Sequence, residues 1–430
     1  MTKRITIAGA GLAGSLLAIF LAKRGIEVTV LESRADLRKV KLSAGRSINL
    51  ALANRGISAL RAAGVMDRVE PLLIKMRGRM LHTRSGETSL SPYGQTEDEV
   101  IYSVSRGALN GVLLDAAEDT GRVDLRFGQA WPAAPDSDAR PLIGADGGGS
   151  AVRHMLVERY GAHSSEQLID HGYKELTMPA ADGRHAMERS ALHIWPRGGY
   201  MLIALPNLNG SFTVTLFLPM TGENSFASLA DGKAGEAFFA REFPDALALL
   251  PDLADEFTRN PVGRMGTVRA QPWRQDGEVV LLGDAAHAIV PFHGQGMNCA
   301  FEDCEALDGC LARHGGDWVR VFADFEAARK PNADAIAEMA LENFVEMRDL
   351  VANPRFQLQK QIAFTLERRH PGRFIPRYAM VMFHAMPYAE AQRRGVVQQG
   401  ILDELTNAIQ RIEDVDFARA DRLIEERCRW

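Results

Sequence analysis

Three glycines near the N-terminus, Gly9, Gly11 and Gly14, have the spacing G-x-G-x-x-G. In this pattern the first glycine makes a tight turn, the second lets a pyrophosphate approach the backbone, and the third lets a helix pack on a strand. Glu32 lies eighteen residues beyond Gly14, where its carboxylate would accept hydrogen bonds from ribose hydroxyls and repel a 2′-phosphate. These residues predict bound FAD or NAD rather than NADP, the alternative being a glycine turn needed only for packing.

A second group of candidate binding residues follows the apolar run at 279–282. Gly283 and Asp284 follow that run, and a glycine-rich loop then leads to Gly296, Met297 and Asn298. Because backbone amides at the start of a helix attract anions, this loop predicts a helix start that holds negative charge. Asp284 would hold a polyol hydroxyl, and the backbone at Met297 and Asn298 would face a flavin ring.

A third glycine cluster at 144–149 leads to Arg153 after a short apolar run. It lacks the full dinucleotide pattern, which occurs once in the chain. The sequence therefore predicts no second dinucleotide-binding domain for a nicotinamide cofactor.

The spacing of the cysteines and histidines predicts no metal site. Cys299, Cys304 and Cys310 are five and six residues apart, which fits neither a zinc site nor a redox pair and favours buried helix thiols. His287 and His293 flank the glycine-rich loop, where a structural role is favoured for His287 over acid–base chemistry. The sequence predicts no metal and no dedicated proton donor.

Length and composition limit the classes of protein that can carry these residues. At roughly 150 residues per domain, 430 residues predict two to three domains. A formal charge of −5 gives no basic excess for nucleic-acid binding, and four cysteines exclude a disulfide scaffold. No window approaches twenty apolar residues and neither end resembles an export signal, so we expect a cytoplasmic enzyme without a membrane anchor.

The elements that must position the first glycine group form a strand–helix–strand unit. The apolar residues 4–8 predict a strand, residues 12–23 have helical spacing, and residues 27–32 predict a second strand. Strands that alternate with helices indicate a parallel, doubly wound sheet.

A different architecture is predicted for the middle of the chain. Residues 191–195, 200–205 and 212–218 are three closely spaced strand patterns with glycine turns and no helix between them. They indicate an antiparallel sheet in a second domain. From about residue 322 to the end the pattern is mostly helical. In the last segment, 401–430, apolar residues at helical spacing over 401–412 predict a docking helix rather than a helix that lies on a membrane surface.

The order of these motifs resembles a known family. G-x-G-x-x-G at the N-terminus, G-A-D-G-x-x-S-x-V-R after residue 144 and L-L-G-D-A-A-H before the glycine loop are together similar to the single-component FAD-dependent aromatic hydroxylases. The resemblance implies an α/β fold: a Rossmann-type FAD-binding domain with an inserted antiparallel β-sheet substrate domain and a C-terminal helical region. The implied division assigns 1–75, 100–170 and 262–330 to the FAD-binding domain, 76–99 and 171–261 to the sheet domain, and 331–430 to the helical region.

Shorter segments are similar to the members of that family that hydroxylate L-kynurenine. The resemblance runs from about residue 4 to about residue 398, and the segments that carry it are 45–52, 76–80, 92–94, 171–176, 192–196, 204–207, 211–217 and 290–298. It implies that NADPH reduces FAD, that O₂ forms a flavin hydroperoxide, and that one oxygen reaches the ring to give 3-hydroxykynurenine. Such a reaction belongs to tryptophan catabolism and pyridine nucleotide biosynthesis.

The same resemblance implies the binding residues. Those for the substrate are Arg79 and Tyr93 for its carboxylate, with Asn343 and Tyr388 contributed by the helical region. Those for FAD are Gly9, Gly11, Ala13, Gly14, Glu32, Arg34, Ala51, Arg106, Asp284, Gly296, Met297 and Asn298. No catalytic side chain is implied, because the flavin carries the chemistry.

The sequence departs from the family in the stretch 124–143, which is shorter than usual and is expected to lack a strand pair. The sequence also shows no C-terminal membrane anchor like that of the mitochondrial members, and in this respect we expect it to be similar to the soluble bacterial form. An alternative is an FAD monooxygenase of another aromatic acid such as a hydroxybenzoate, which should lack the four substrate residues. A flavin halogenase would carry W-x-W-x-I, which is absent from the sequence, and a flavin-binding scaffold without activity is disfavoured by the intact motifs.

Overall fold

A computed structural model describes residues 4–40, 49–133 and 140–430. Parts of the segments 45–52 and 124–143 singled out in the sequence lie outside the described residues. The described residues form strands in the order β1 (Arg4–Ala8), β2 (Glu27–Glu32), β3 (Asn49–Leu52), β4 (Ile74–Met76), β5 (Gly78–His82), β6 (Thr88–Pro92), β7 (Ile101–Ser105), β8 (Val123–Phe127), β9 (Leu142–Gly144), β10 (His163–Met178), β11 (Ala191–Pro196), β12 (Met201–Pro206), β13 (Phe212–Pro219), β14 (Gly263–Gln271), β15 (Arg274–Gln275) and β16 (Val279–Leu281).

Helices connect the first sheet and make up the last part of the chain. In order they are α1 (Leu12–Lys23), α2 (Asn54–Ala63), α3 (Met66–Val69), α4 (Arg106–Asp119), α5 (Ala151–Tyr160), α6 (Gly232–Glu242), α7 (Pro244–Leu247), α8 (Leu253–Arg259), α9 (Asp284–His287), α10 (Gly296–His314), α11 (Trp318–Val345), α12 (Pro354–Arg369), α13 (Arg377–Met382), α14 (Tyr388–Leu405) and α15 (Phe417–Arg427). A π-helical turn, Glu346–Leu350, extends the end of α11.

The first sheet has six strands in the order β15-β16-β9-β1-β2-β8, and all its pairs except β15–β16 are parallel. Strand β1 is buried on both faces, with Ile5 and Ile7 fully inaccessible, as expected for a parallel sheet covered by helices. Helix α1 contributes Leu16 and Leu17 to the same core. The predicted doubly wound sheet is confirmed.

The second sheet has seven strands in the order β14-β10-β13-β12-β11-β5-β6. The neighbours β11, β12 and β13 pair antiparallel as predicted, while β5 joins β11 in parallel. Helices α6 and α8 cover one face, because Phe239 and Phe257 pack in one cluster with Trp195 and Leu216 of the sheet. The expected antiparallel substrate sheet is therefore present, with one parallel pair.

The C-terminal helices pack against both units. Arg55 of α2 is almost completely buried, lies with its guanidinium carbon 3.9 Å from the centre of the Tyr388 ring, and donates to the carbonyls of Val381 and Met386. Its remaining nitrogen pairs with Glu302 at 2.6 Å. One buried cation thus fastens the helical region to the first unit. No helix within the described ranges has the length and apolar character needed to cross a membrane.

Candidate active site

The N-terminal glycines form an open turn at the start of α1. Gly9 has φ +102°, a left-handed value that favours glycine, and a Cβ at Gly14 would lie 1.9 Å from the Gly9 carbonyl oxygen. A Cβ at Gly11 would meet no atom within 4 Å, and no side chain caps the helix that begins after it. The uncapped amides therefore face free space, which fits a pyrophosphate over the helix start.

Glu32 lies beside that turn, at the end of β2. One carboxylate oxygen accepts the Ala10 amide at 3.0 Å, and the other accepts the amide and guanidinium of Arg34. Burial alone would raise the pKa of Glu32, but these hydrogen bonds outweigh it and lower the pKa. The carboxylate is therefore ionised at neutral pH and able to accept ribose hydroxyls.

A second uncapped helix start lies at Gly296, where α10 begins. The Asn298 side chain is fully buried behind it, donating to the carbonyls of Ala51 and Gly294 and accepting the Ala53 amide. It joins β3 to the glycine loop, so Ala51 and the loop are held side by side. Asn298 therefore acts on this site through its backbone and through the strand that it fixes.

The other residues predicted to bind FAD lie around these two helix starts. Ala13 of α1 contacts the region of Gly283, since a Cβ built on that glycine would lie 3.5 Å from the Ala13 Cβ. Asp284 follows directly and is exposed, as are Arg34 and Arg106. The exposed Asp284 and Arg106 side chains can turn toward a ligand, while the Arg34 guanidinium pairs with Glu32, and the geometry fits a dinucleotide that spans α1 and α10.

Arg79 stands in a separate, buried part of the site. It lies on β5, is 7% exposed, and its guanidinium donates to Glu346 at 2.8 Å. The rings of Tyr93 and Tyr378 stack at 5.5 Å and lie 5.9 and 5.2 Å from the guanidinium carbon. Burial alone would lower the pKa of Arg79, but Glu346 outweighs it and raises the pKa, so the guanidinium stays charged.

Several polar atoms around Arg79 have no partner among the described residues. They are the Arg79 Nε, the Tyr93 hydroxyl and the His293 Nδ1. They line a cavity that encloses about 160 Å³ and reaches from the glycine loop into α12 and α14. Because an unpartnered buried polar atom costs free energy, this cluster is suited to a ligand with its own donors and acceptors.

The structure divides the four predicted substrate residues. Arg79, Tyr93 and Asn343 line this cavity, and the Asn343 amide donates to the Phe292 carbonyl at 2.6 Å. Tyr388 does not line it: its hydroxyl donates to Gln295 at 2.7 Å. Tyr388 supports the glycine loop from behind, and its predicted contact with substrate stays a prediction.

Tyr378, Glu346 and Lys360 line the cavity and were not predicted from the sequence. Tyr378 stands ten residues before Tyr388, in the apolar segment of α13, and burial raises its pKa to about 12. The apolar residues around Tyr378 were a usable signal, since a tyrosine among them must bury its ring. Nothing local marks Glu346 or Lys360, which reach the cavity only through the packing of the helical region.

The two histidines of the loop differ in their surroundings. His287 contacts the buried carboxylate of Asp303 at 2.6 Å, and Arg329 donates to the same carboxylate at 2.7 Å. This network is complete without a ligand. His293 stacks on Tyr378 with ring centres 5.7 Å apart, and burial lowers its pKa to about 4, so it is neutral in the cavity.

Comparison with known proteins agrees with this geometry. Residues 2–140 and 133–339 match the model of the FAD binding domain family. Proteins called kynurenine 3-monooxygenase are similar over nearly their whole length: that of Myxococcus xanthus is 49% identical over 98% of this chain and 95% of its own. That of Stenotrophomonas maltophilia is 50% identical, over 98% and 96%.

Solved structures share the fold at lower identity. The tetrameric form of 2-methyl-3-hydroxypyridine-5-carboxylic acid oxygenase superposes with a TM-score of 0.67 at 20% identity, covering 85% of this chain and 98% of its own. PqsL of P. aeruginosa in complex with 2-aminobenzoylacetate gives 0.64 at 21% identity, over 81% and 97%. At such identities the likeness establishes the fold alone, and it confirms the predicted fold class.

Proposed function

Because this chain belongs to the kynurenine 3-monooxygenase family of FAD-dependent monooxygenases, we propose that it hydroxylates L-kynurenine to 3-hydroxykynurenine with NADPH and O₂. The observation that carries the substrate assignment is the buried Arg79 guanidinium with a free Nε beside the free Tyr93 hydroxyl. A planar guanidinium is the side chain best suited to a carboxylate, which it binds with two parallel hydrogen bonds.

The residues present fit FAD, with the two uncapped helix starts on its negatively charged groups and Glu32 on its ribose. When bound, FAD supplies the hydride acceptance and oxygen activation that no side chain can perform. The chain's own contribution is to hold Glu32 beside the helix start at Gly11, and Ala51 beside the helix start before Met297. The buried Asn298 side chain keeps the last two in register.

The substrate would be bound at both ends of its amino-acid group. Arg79 and Tyr93 would take the carboxylate, while Glu346 is placed to accept from the α-ammonium group. On binding, Arg79 and Glu346 would give up their mutual ion pair, and each would pair with the opposite charge of the zwitterion. Neither of these two buried side chains is then left with an unpaired charge. The aromatic end would lie toward His293 and the glycine loop, along the stacked Tyr378 ring.

The walls of the cavity exclude water from the reacting end. Tyr93 and Met339 of the cavity wall belong to one buried cluster with Met76 and Met380, between the sheets and the helical region. An apolar enclosure of this kind prevents the side reactions with water that would uncouple reductant consumption from product formation. We assign the helical region this closing role.

We also propose the division into a discontinuous FAD-binding domain, an inserted sheet domain and the helical region 331–430. Its support is that β1, β2, β8, β9 and β16 of the first sheet all come from 1–75, 100–170 and 262–330. Strands β10 and β14 pair in the second sheet but begin inside segments assigned to the first domain, so they join the two units.

The test is product analysis with the purified holoenzyme. We expect a yellow protein whose NADPH oxidation is accelerated by L-kynurenine and whose product is heavier by one oxygen atom, at the position next to the amino group. 4-Hydroxybenzoate, the substrate type of the alternative hydroxylase, should neither accelerate NADPH oxidation nor be converted. A protein that takes up FAD but converts the hydroxybenzoate and not kynurenine would refute the assignment.

A further inference from the structure

Three cationic side chains, Arg79, Lys360 and Arg377, line the cavity beside one carboxylate, Glu346, and Arg377 pairs with Glu342 outside the lining. Arg79 and Glu346 form an ion pair at 2.8 Å, and Lys360 of α12 lines the same space. The Lys360 ammonium donates to the Ser91 hydroxyl at 2.7 Å and to the Pro92 carbonyl at 2.6 Å, which are uncharged acceptors. Among residues 4–40, 49–133 and 140–430, no carboxylate lies within ion-pair distance of Lys360.

The charge of a ligand decides which form of this lysine fits. A zwitterionic amino acid adds no net charge, so with Arg79 and Glu346 the cavity is balanced when Lys360 is neutral. An aromatic acid without the α-amino group adds one negative charge, and the cavity is balanced only when Lys360 is protonated. Because an uncompensated charge in a buried site is costly, each ligand should select its own form of the lysine.

We propose that Lys360 is a specificity-determining residue that balances ligand charge, so that its protonation decides how well purely anionic aromatic acids compete with zwitterionic ones. This inference rests on the proposed function in one respect, since it takes this cavity as the site of the ligand's carboxylate. Lys360 also holds the end of β6 beside Tyr93, which places its charge at the carboxylate end of the cavity.

The surroundings of Lys360 allow both forms near neutral pH. Burial, followed by the charge of Arg79, lowers the pKa of Lys360 to about 7, against a smaller opposite effect of Glu346. The other ionisable groups lining the cavity are Tyr93, Tyr378 and His293, which are uncharged, and Arg377, which pairs with Glu342. Lys360 is therefore the group whose charge changes in the relevant range.

The experiment compares the dissociation constants of L-kynurenine and 4-(2-aminophenyl)-4-oxobutanoate, its analogue without the α-amino group. Both are titrated into the FAD-loaded enzyme from about pH 6 to about 8.5, with the flavin absorbance as readout. Above about pH 7 we expect the analogue to bind about tenfold more weakly per pH unit, since its binding requires proton uptake. The affinity for kynurenine should instead rise by about tenfold from pH 6 to pH 8, because its binding favours the neutral lysine and its own amino group titrates only at higher pH.

Two variants separate charge from mere packing. Lys360→Arg keeps a permanent charge, so analogue binding should stay tight and lose its pH dependence. Lys360→Met should lose the pH dependence and bind the analogue as weakly as the wild type does at high pH. Lys233→Met, an exposed lysine of α6, is the matched control and should retain the wild-type profile.

The outcomes are distinguishable from failure of the proposed function. If kynurenine is hydroxylated but the analogue binds equally at both ends of the pH range, or if Lys360→Met keeps the slope, the inference is wrong and the function stands. If kynurenine is not hydroxylated while the analogue shows the lysine-dependent slope, the function is wrong and the inference stands. If neither ligand binds, both are overturned.

Discussion

Replacing Arg79 by lysine keeps a positive charge in the cavity but removes the planar fork that would bind a carboxylate. Lysine can still pair with Glu346, so the free protein loses little. In the complex at least one charge-assisted hydrogen bond is missing, and such a bond contributes about 1.5 to 3 kcal/mol. We therefore expect Arg79→Lys to weaken kynurenine binding by about 10- to 150-fold.

Flavin content should be unchanged, because the partners of Arg79 are Glu346, Tyr93 and Tyr378, none of which lies at the starts of α1 or α10. The assay is titration of the oxidised holoenzyme with kynurenine, followed by flavin absorbance, with the flavin-to-protein ratio measured on the same sample. Arg241→Lys, on the exposed side of the sheet domain, is the matched control. An affinity within twofold of the wild type, with flavin content intact, would refute the placement of the carboxylate on Arg79.

Three further results are expected. Gly14→Ala should lower the melting temperature, since its Cβ would lie 1.9 Å from a carbonyl oxygen. Gly11→Ala should leave the fold intact and weaken FAD binding in a fluorescence titration, because its Cβ enters open space needed by the ligand. Equal effects of the two substitutions on melting temperature and FAD binding would contradict the assigned roles. Tyr93→Phe removes an unpartnered buried hydroxyl, so the melting temperature should be kept or raised while kynurenine binds about tenfold more weakly; an unchanged dissociation constant would count against the contact. Burial lowers the pKa of His293 from 6.5 to about 4, so between these pH values the unfolded chain binds more protons and the free energy of unfolding falls by up to about 3 kcal/mol as the pH is lowered. His293→Phe should remove that part of the acid sensitivity in thermal melts from pH 7 to 4. Parallel curves of melting temperature against pH for the two proteins would show that the pKa of the histidine is not lowered by folding.

Local chemistry made the first glycine turn and the sheet around it predictable. The roles of Gly9 and Gly14 follow from the space their own backbones leave, and alternating strands and helices permit few topologies. The residues at the carboxylate end of the cavity were harder to predict from the sequence. Arg79 and Tyr93 were found by resemblance, but the Glu346 that faces Arg79 is 267 residues away in sequence, and no spacing rule connects positions that only the folded helical region brings together.

In the helical region, too, the direction of side chains could not be predicted from the sequence. Tyr378 is half-buried and Tyr388 is fully buried, on adjoining helices, and only the packing of α13 decides that the first lines the cavity while the second points at Gln295. The prediction of one docking helix through 401–412 was wrong in part: α14 ends at Leu405, and the chain turns before α15. The apolar periodicity continues past the end of α14 because Ile409 and Ile412 of the connecting segment pack against the cluster that α14 and α15 bury.

The inserted sheet domain has a consequence for synthesis on the ribosome. Strand β9 is complete at Gly144, but its second neighbour β16 begins only at Val279, after the whole insertion has been translated. At about 5 to 20 residues per second, the buried, apolar edge of β9 stays unpaired for about 7 to 27 s. An open strand edge invites pairing with other chains, so this enzyme should depend on chaperones for soluble yield, and slower translation of the insertion should lower that yield.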